Sequence, residues 1–186
     1  MANGDLTTLD AVKGFLKISG TADDAVIVRL ISQCSAAVAN YTNRNLLSQS
    51  YTEKYDGNSS SVLMLRQSPI TAVSRLTLHG VDIAPSPDGI LQDGYTFDAT
   101  RLLLINRRFW RGQQNVAITY AAGYVTVPGD VEEAVIEFVS DRLRLASRLG
   151  EKTKSLPQGG SVSYEMQFMS DRVKGSLSNY RRLIPI

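Results

Sequence analysis

The sequence predicts an α+β fold: a small helical bundle, built from an N-terminal helical hairpin plus a third helix, with an inserted antiparallel β lobe and an extended C-terminal segment. Three observations carry this. Apolar residues recur at helical spacing from Leu9 to Tyr41 and again from Val131 to Leu149. Between them, from Gln49 to Tyr124, the period drops toward two and Gly, Pro, Asp and Asn punctuate the chain. Beyond Gly150 a polar stretch with Pro157 and a Gly159-Gly160 pair sets off the last segment. The expected organisation is a helical lobe of residues 1–48 and 125–149, a β lobe of 49–124, a flexible linker of 150–160 and a C-terminal segment of 161–186.

The first helix is expected from Leu9 to Ile18, with Thr7 or Thr8 as cap, Leu9, Val12, Phe15 and Leu16 inward, and Gly20 as the stop. The second runs from Asp23 to Thr42 with the stripe Ile27, Leu30, Cys34, Ala37, Val38 and Tyr41, its two leading aspartates suiting the positive end of the helix dipole. Asp56-Gly57-Asn58 reads as a hairpin turn. Strands are expected at Tyr51–Tyr55, Val62–Arg66, Val73–His79, Tyr95–Asp98, Arg101–Ile105 and Val116–Tyr120, with Pro85, Pro87 and Gly89 in a loop. Val127-Pro128-Gly129-Asp130 turns the chain into the third helix, where Asp130 and Glu133 have capping-box spacing. Its stripe to Leu149 is interrupted by Arg142, and Gly150 stops it. Ser161–Phe168 alternates like a strand, and Ser170–Arg182 reads as a short helix using Val173, Leu177 and Tyr180.

Composition narrows the functional classes. The 186 residues are 43% hydrophobic and 20% charged, enough to bury a core, and no apolar run approaches the roughly 20 residues that cross a bilayer. Without a basic-then-apolar leader at Met1-Ala2-Asn3-Gly4-Asp5, a soluble protein made in the cytoplasm is expected, with no membrane partner. One cysteine, Cys34, supports neither an internal disulfide nor a metal cluster. The net charge of +2 is small but uneven: up to Asp141, 15 acids face 11 bases, and from Arg142 onward nine bases face three acids. A basic C-terminal quarter suits phosphate, an acidic protein surface, or plain solvation.

Catalytic constellations are absent from the pattern. His79 is the single histidine and precedes Gly80 at a strand end, a turn position. Asp130, Glu132, Glu133 and Glu137 could suggest a metal, yet acids belong in a helix's first turns on dipole grounds. There is no phosphate-binding glycine loop, dinucleotide fingerprint or zinc-spaced Cys/His set. No enzyme, cofactor or metal is expected. One cluster does stand out: Arg107, Arg108, Phe109, Trp110 and Arg111, in a stretch where four arginines between Arg101 and Arg111 have no acid among them. Aromatics with arginine suit a subunit contact or a nucleic-acid face; alternatively Trp110 folds back as an anchor and the arginines are solvated.

The order of the pieces resembles the tailed-phage head-tail connector, or head-completion adaptor, family. The resemblance rests on Leu6-Thr7-Thr8-Leu9, Asp23-Asp24 and Tyr41-Thr42-Asn43-Arg44, then Arg66-Gln67-Ser68-Pro69-Ile70, Thr119-Tyr120-Ala121-Ala122-Gly123-Tyr124, and Val173-Lys174-Gly175-Ser176-Leu177 with Tyr180-Arg181-Arg182. It implies a structural virion protein of the neck, a ring of about twelve copies below the portal protein that passes double-stranded DNA and receives the next connector or tail-completion protein. On that reading Tyr180, Arg181, Arg182, Leu183 and Ile184 dock on the portal, and Arg107 to Arg111 make neighbour contacts or face the DNA lumen. Truncation at Gly159 is then expected to leave a folded protein that no longer joins heads. The alternative is a small DNA-binding packaging accessory protein whose basic end grips phosphate.

Overall fold

The computed structural model describes residues 4–146, 153–155, 161–163 and 168–182, in two units: residues 1–44 with 127–186, and residues 45–126. The α+β class and the insertion of the β part into the helical part are as expected.

In the helical unit α1 is Leu9–Leu16, α2 is Asp24–Thr42, α3 is Gly129–Ala146 and α4 is Asp171–Leu177, followed by a 3-10 turn at Ser178–Tyr180. The Thr8 side chain accepts the Ala11 N–H at 3.1 Å and so caps α1, one of its two expected caps. The stop comes earlier than Gly20, because Lys17 itself takes the left-handed conformation (φ 54°) and closes the helix with its N–H on the Gly14 carbonyl. Asn43 does the same for α2 at φ 54°. Val12, Ile27, Leu30, Cys34 and Val38 are buried as the stripes require, whereas Phe15 is exposed. Helix α3 starts at Gly129, so Asp130 lies inside the first turn, and the expected capping box is replaced by another use of that carboxylate, described below. Leu149 and Gly150 lie outside the described residues.

Arg142 interrupts the α3 stripe because its guanidinium lies 5.2 Å over the Phe168 ring, which in turn meets Phe138 edge-on at 5.7 Å. Burial pushes the Cys34 thiol up to about 12, with Arg142 pulling the other way, as befits a small buried hydrophobe. Part of the expected linker is a strand: β8 (Thr153–Ser155) pairs antiparallel with β9 (Ser161–Ser163). Helix α4 packs on α3 and buries Val173 and Leu177, with Met169 beside it. This corrects the truncation expectation. Removing everything after Gly159 strips three core side chains, each contributing roughly 1.5–3 kcal/mol, out of a domain whose whole stability is about 5–15 kcal/mol.

In the β unit, β1 (Gln49–Gly57), β7 (Gly112–Ala122), β3 (Ile70–Leu78) and β4 (Val81–Ile83) form one sheet in the order β1-β7-β3-β4; β2 (Val62–Met64), β6 (Arg101–Ile105) and β5 (Gly94–Phe97) form a second, β2-β6-β5. Every pairing of named strands is antiparallel. All six expected strands are present and β4 is an addition. Alternation along β7 sends Val116, Ile118, Tyr120 and Ala122 into a core shared with Leu63, Leu102 and Leu104 of the other sheet. Asp56-Gly57-Asn58 is no hairpin turn, since β1 pairs with β7 while β2 pairs with β6, and the chain crosses there from one sheet to the other. Gly57 is required by close approach: a Cβ on it would lie 1.7 Å from the Trp110 carbonyl oxygen.

Candidate functional site

Two aromatic–arginine segments of the sequence lie in different units. The first leaves β6 of the β unit. Phe109 is fully buried in the core, so it is the anchor, and Trp110 is 64% exposed. The fold-back reading had the right device and the wrong ring, and Phe109 itself has no free surface to offer. The segment's backbone is clamped: Phe109 N–H donates to the Ser60 carbonyl and Ser59 N–H to the Phe109 carbonyl, both at 2.8 Å, and Asn115 Nδ2 donates to the Trp110 carbonyl at 2.7 Å. Asn115 also holds the Gly57 N–H at 2.8 Å and meets His79 Nε2 at 3.1 Å. His79 thus sits in an exposed turn (φ 49°) as a hydrogen-bonding partner to this clamp.

Two of the four arginines meet acids from outside the stretch. Arg101 pairs with Asp98, and Arg107 pairs with Asp93 at 3.3 Å. Neither acid lies within the arginine stretch itself: Asp98 precedes Arg101 by three residues in the β5–β6 turn, and the pairing of β5 with β6 brings Asp93 beside Arg107. Both pairs are solvent-exposed and contribute little to stability. Arg108 reaches the Ser59 carbonyl at 3.3 Å, and neither it nor Arg111 has an ion-pair partner among the described residues.

The second segment follows α4 in the helical unit, and here the side chains are occupied. The Tyr180 hydroxyl donates to the Asp130 carboxylate, 2.8 Å from each oxygen. The Arg181 guanidinium lies 5.5 Å over the Tyr41 ring, and Arg44 lies 6.0 Å over the Tyr180 ring. Arg182 N–H donates to the Thr42 carbonyl at 2.8 Å, and Asn43 Nδ2 to the Arg182 carbonyl at 3.3 Å. The end of α2 and the end of the chain therefore exchange tyrosine and arginine reciprocally. Both segments are legible as residues, but nothing in sequence spacing joins positions so far apart. Leu183 and Ile184 lie outside the described residues.

The remaining polar centre is in the β unit. Tyr55 and Tyr120 both donate their hydroxyls to Glu53 Oε2, the latter at 2.8 Å, while Tyr55 and Tyr120 accept the N–H groups of Arg66 (2.8 Å) and Gln67 (3.2 Å). Burial, reinforced by the Glu53 carboxylate, pushes Tyr55 up to about 12 and Tyr120 further upward, so both stay neutral donors. This network ties the 66–67 turn to the sheet and offers no nucleophile. Asp130, Glu132 and Glu137 bond to Tyr180, Thr7 and Arg172. Among the described residues no His, Cys, Asp and Glu group could hold a metal, and no helix is long and apolar enough to cross a membrane.

The profile of the family described as "Head completion protein" matches residues 5–183. No curated protein matches in sequence. Among solved structures, the chain is similar to one from the neck of an empty GTA particle computed with C6 symmetry, with a TM-score of 0.62 and 17% identity over 100% of this chain and 94% of that one. A chain from the neck of a native GTA particle computed with C12 symmetry gives 0.60 and 15%, covering 100% and 94%. One from the virion of a native gene transfer agent particle gives 0.59 and 16%, again over 100% and 94%. At these identities the likeness is one of fold.

Proposed function

From the premise that this chain belongs to the head completion protein family, a structural family of phage-like particles, we propose that it is a head-tail adaptor of the virion neck. The observation that carries this is the match of a single family profile to residues 5–183, both units together. Chains of the same fold in particle necks analysed with C6 and C12 symmetry support a ring of about twelve copies. In such a ring each copy uses two different patches, because head-to-tail contacts close by rotation. The ring sits below the portal protein, passes double-stranded DNA and receives the next connector or tail-completion protein. A net charge of +2 suits a channel through which DNA slides, since many phosphate contacts would hold it by counterion release.

For portal docking we assign the chain end, Tyr180 to Ile184. The reciprocal tyrosine–arginine contacts support this by delivering the chain to Arg182 on a fixed footing rather than as a free tail. The accessory DNA-binding reading has less to draw on: Arg172 and Lys174 pair with Glu137 and Asp171, and Arg181 lies on Tyr41.

The test is electron microscopy of the full chain added to portal-bearing heads that lack it. Ring density beneath the portal is expected, lost on Arg182→Glu combined with removal of residues 183–186. Heads that take up no wild-type protein refute the adaptor reading. Heads that take up the variant as well as wild type refute the docking assignment alone.

A further inference from the structure

One end of the β unit carries a surface that the reading above leaves unassigned. Pairing of Gly94 with Ile105 puts the segment entering β5 (84–93) and the segment leaving β6 (106–111) at the same end of the β2-β6-β5 sheet. They are joined there: Asn106 Nδ2 donates to the Leu91 carbonyl at 2.7 Å, and Arg107 pairs with Asp93. Within the first segment, Asp88 Oδ1 accepts the N–H groups of Ile90, Leu91 and Gln92 at 3.0–3.1 Å, and the Ser86 hydroxyl donates to the Gln92 carbonyl at 2.7 Å. On this fixed backbone Ile90 and Leu91 stand 75% and 76% exposed, and Trp110 stands 64% exposed on its own clamp.

Apolar side chains displayed on an already ordered backbone lose little further entropy when a partner covers them, which is what a preorganised contact requires. The charges restrict the partner. Asp88 and Asp93 are committed within the surface, while Arg108 and Arg111 lack acids among the described residues. The complement is an apolar seat bordered by carboxylates. A DNA backbone could meet the two arginines but has nothing with which to bury Ile90 and Leu91. The helical unit carries exposed apolar and acidic groups: Asp10, Asp23 and Glu133 are exposed and without ion-pair partners among the described residues, as are the cations Lys17 and Arg29, and Phe15 and Val28 are 46% and 43% exposed.

We infer that Ile90, Leu91, Trp110, Arg108 and Arg111 form one half of the contact between adjacent copies and seat on the helical unit of the next copy. This rests on the ring reading and identifies which surface closes the ring.

The experiment uses three full-length variants beside wild type: Ile90→Ser/Leu91→Ser, Arg108→Glu/Arg111→Glu, and Asp10→Lys/Asp23→Lys/Glu133→Lys. Thermal unfolding establishes that each is folded; analytical ultracentrifugation over a hundredfold concentration range, with negative-stain microscopy, reads assembly. Wild type is expected to form rings, and each variant alone to need at least tenfold more protein to associate. Mixing the two charge-reversed chains restores rings, because each reversed surface then meets a reversed seat and every wild-type surface a wild-type seat. Variants that assemble like wild type overturn the inference while leaving the ring intact, as does a loss confined to retention of duplex DNA. Wild type that stays single at every concentration refutes the ring itself, and this inference with it.

Discussion

The two aromatic–arginine segments use the same residue types in opposite ways. At Tyr180-Arg181-Arg182 the side chains are engaged: a phenol on Asp130, a guanidinium on Tyr41, a tyrosine ring under Arg44. At Arg107–Arg111 the backbone is engaged and only one ring, Phe109, goes inward, leaving Trp110, Arg108 and Arg111 outward on a rigid support. The difference shows that a conspicuous cluster in sequence identifies a place where the chain is held, but not which atoms do the holding. Side chains spent on internal contacts position a segment; side chains held out by a fixed backbone are left for a partner.

The comparison can be broken most severely at Phe109. Phe109→Ala empties a fully buried site and is expected to lower stability by about 3–5 kcal/mol in urea unfolding. Trp110→Ala, one residue on, should change it by less than about 0.5 kcal/mol. Equal losses would mean that the two rings share the anchoring. Next in size is Gly57→Ala, which drives a Cβ into the Trp110 carbonyl; a loss of about 1–3 kcal/mol is expected from overpacking, with the indole fluorescence of Trp110, the chain's single tryptophan, shifted. Tyr180→Phe removes the phenol from Asp130 and is expected to lower stability by about 1 kcal/mol. No change would show that Arg44 and the backbone bonds suffice to hold the segment.

The smallest effect concerns the Ile90–Leu91 loop. The backbone N–H groups of Ile90, Gln92 and Leu91 hold the Asp88 carboxyl down at about 2, below its unfolded value. A depressed folded-state pKa stabilises the fold fully above the unfolded pKa, and that contribution is lost as pH falls through about 2. Asp88→Asn is therefore expected to lower the unfolding midpoint slightly at neutral pH and to match wild type near pH 2. A difference that persists unchanged to pH 2 would mean that the charge on Asp88 plays no part in holding the loop.

Much of the fold was legible because local chemistry and tertiary structure agree. Helical stripes at Val12, Ile27, Leu30 and Val38 are buried, and the alternation at Val116, Ile118 and Tyr120 marks a strand that has one buried face. Where they diverged, the deciding partner was distant in sequence. Gly57 carries the signature of a turn and serves instead as a gap for the Trp110 backbone. Asp130 carries the signature of a cap, and besides the Val131 N–H it accepts Tyr180, 50 residues away. Ile90 and Leu91 passed unnoticed in a Pro/Gly loop, because two apolar residues there signal nothing until their exposure is known. The order of elements and the inserted β lobe follow from period and turn chemistry, which act over a few residues at a time. Which ring is buried, whether Arg107 finds an acid and where the Arg182 backbone is held depend on segments 14 to 139 residues apart meeting in space, and only the folded chain brings those together.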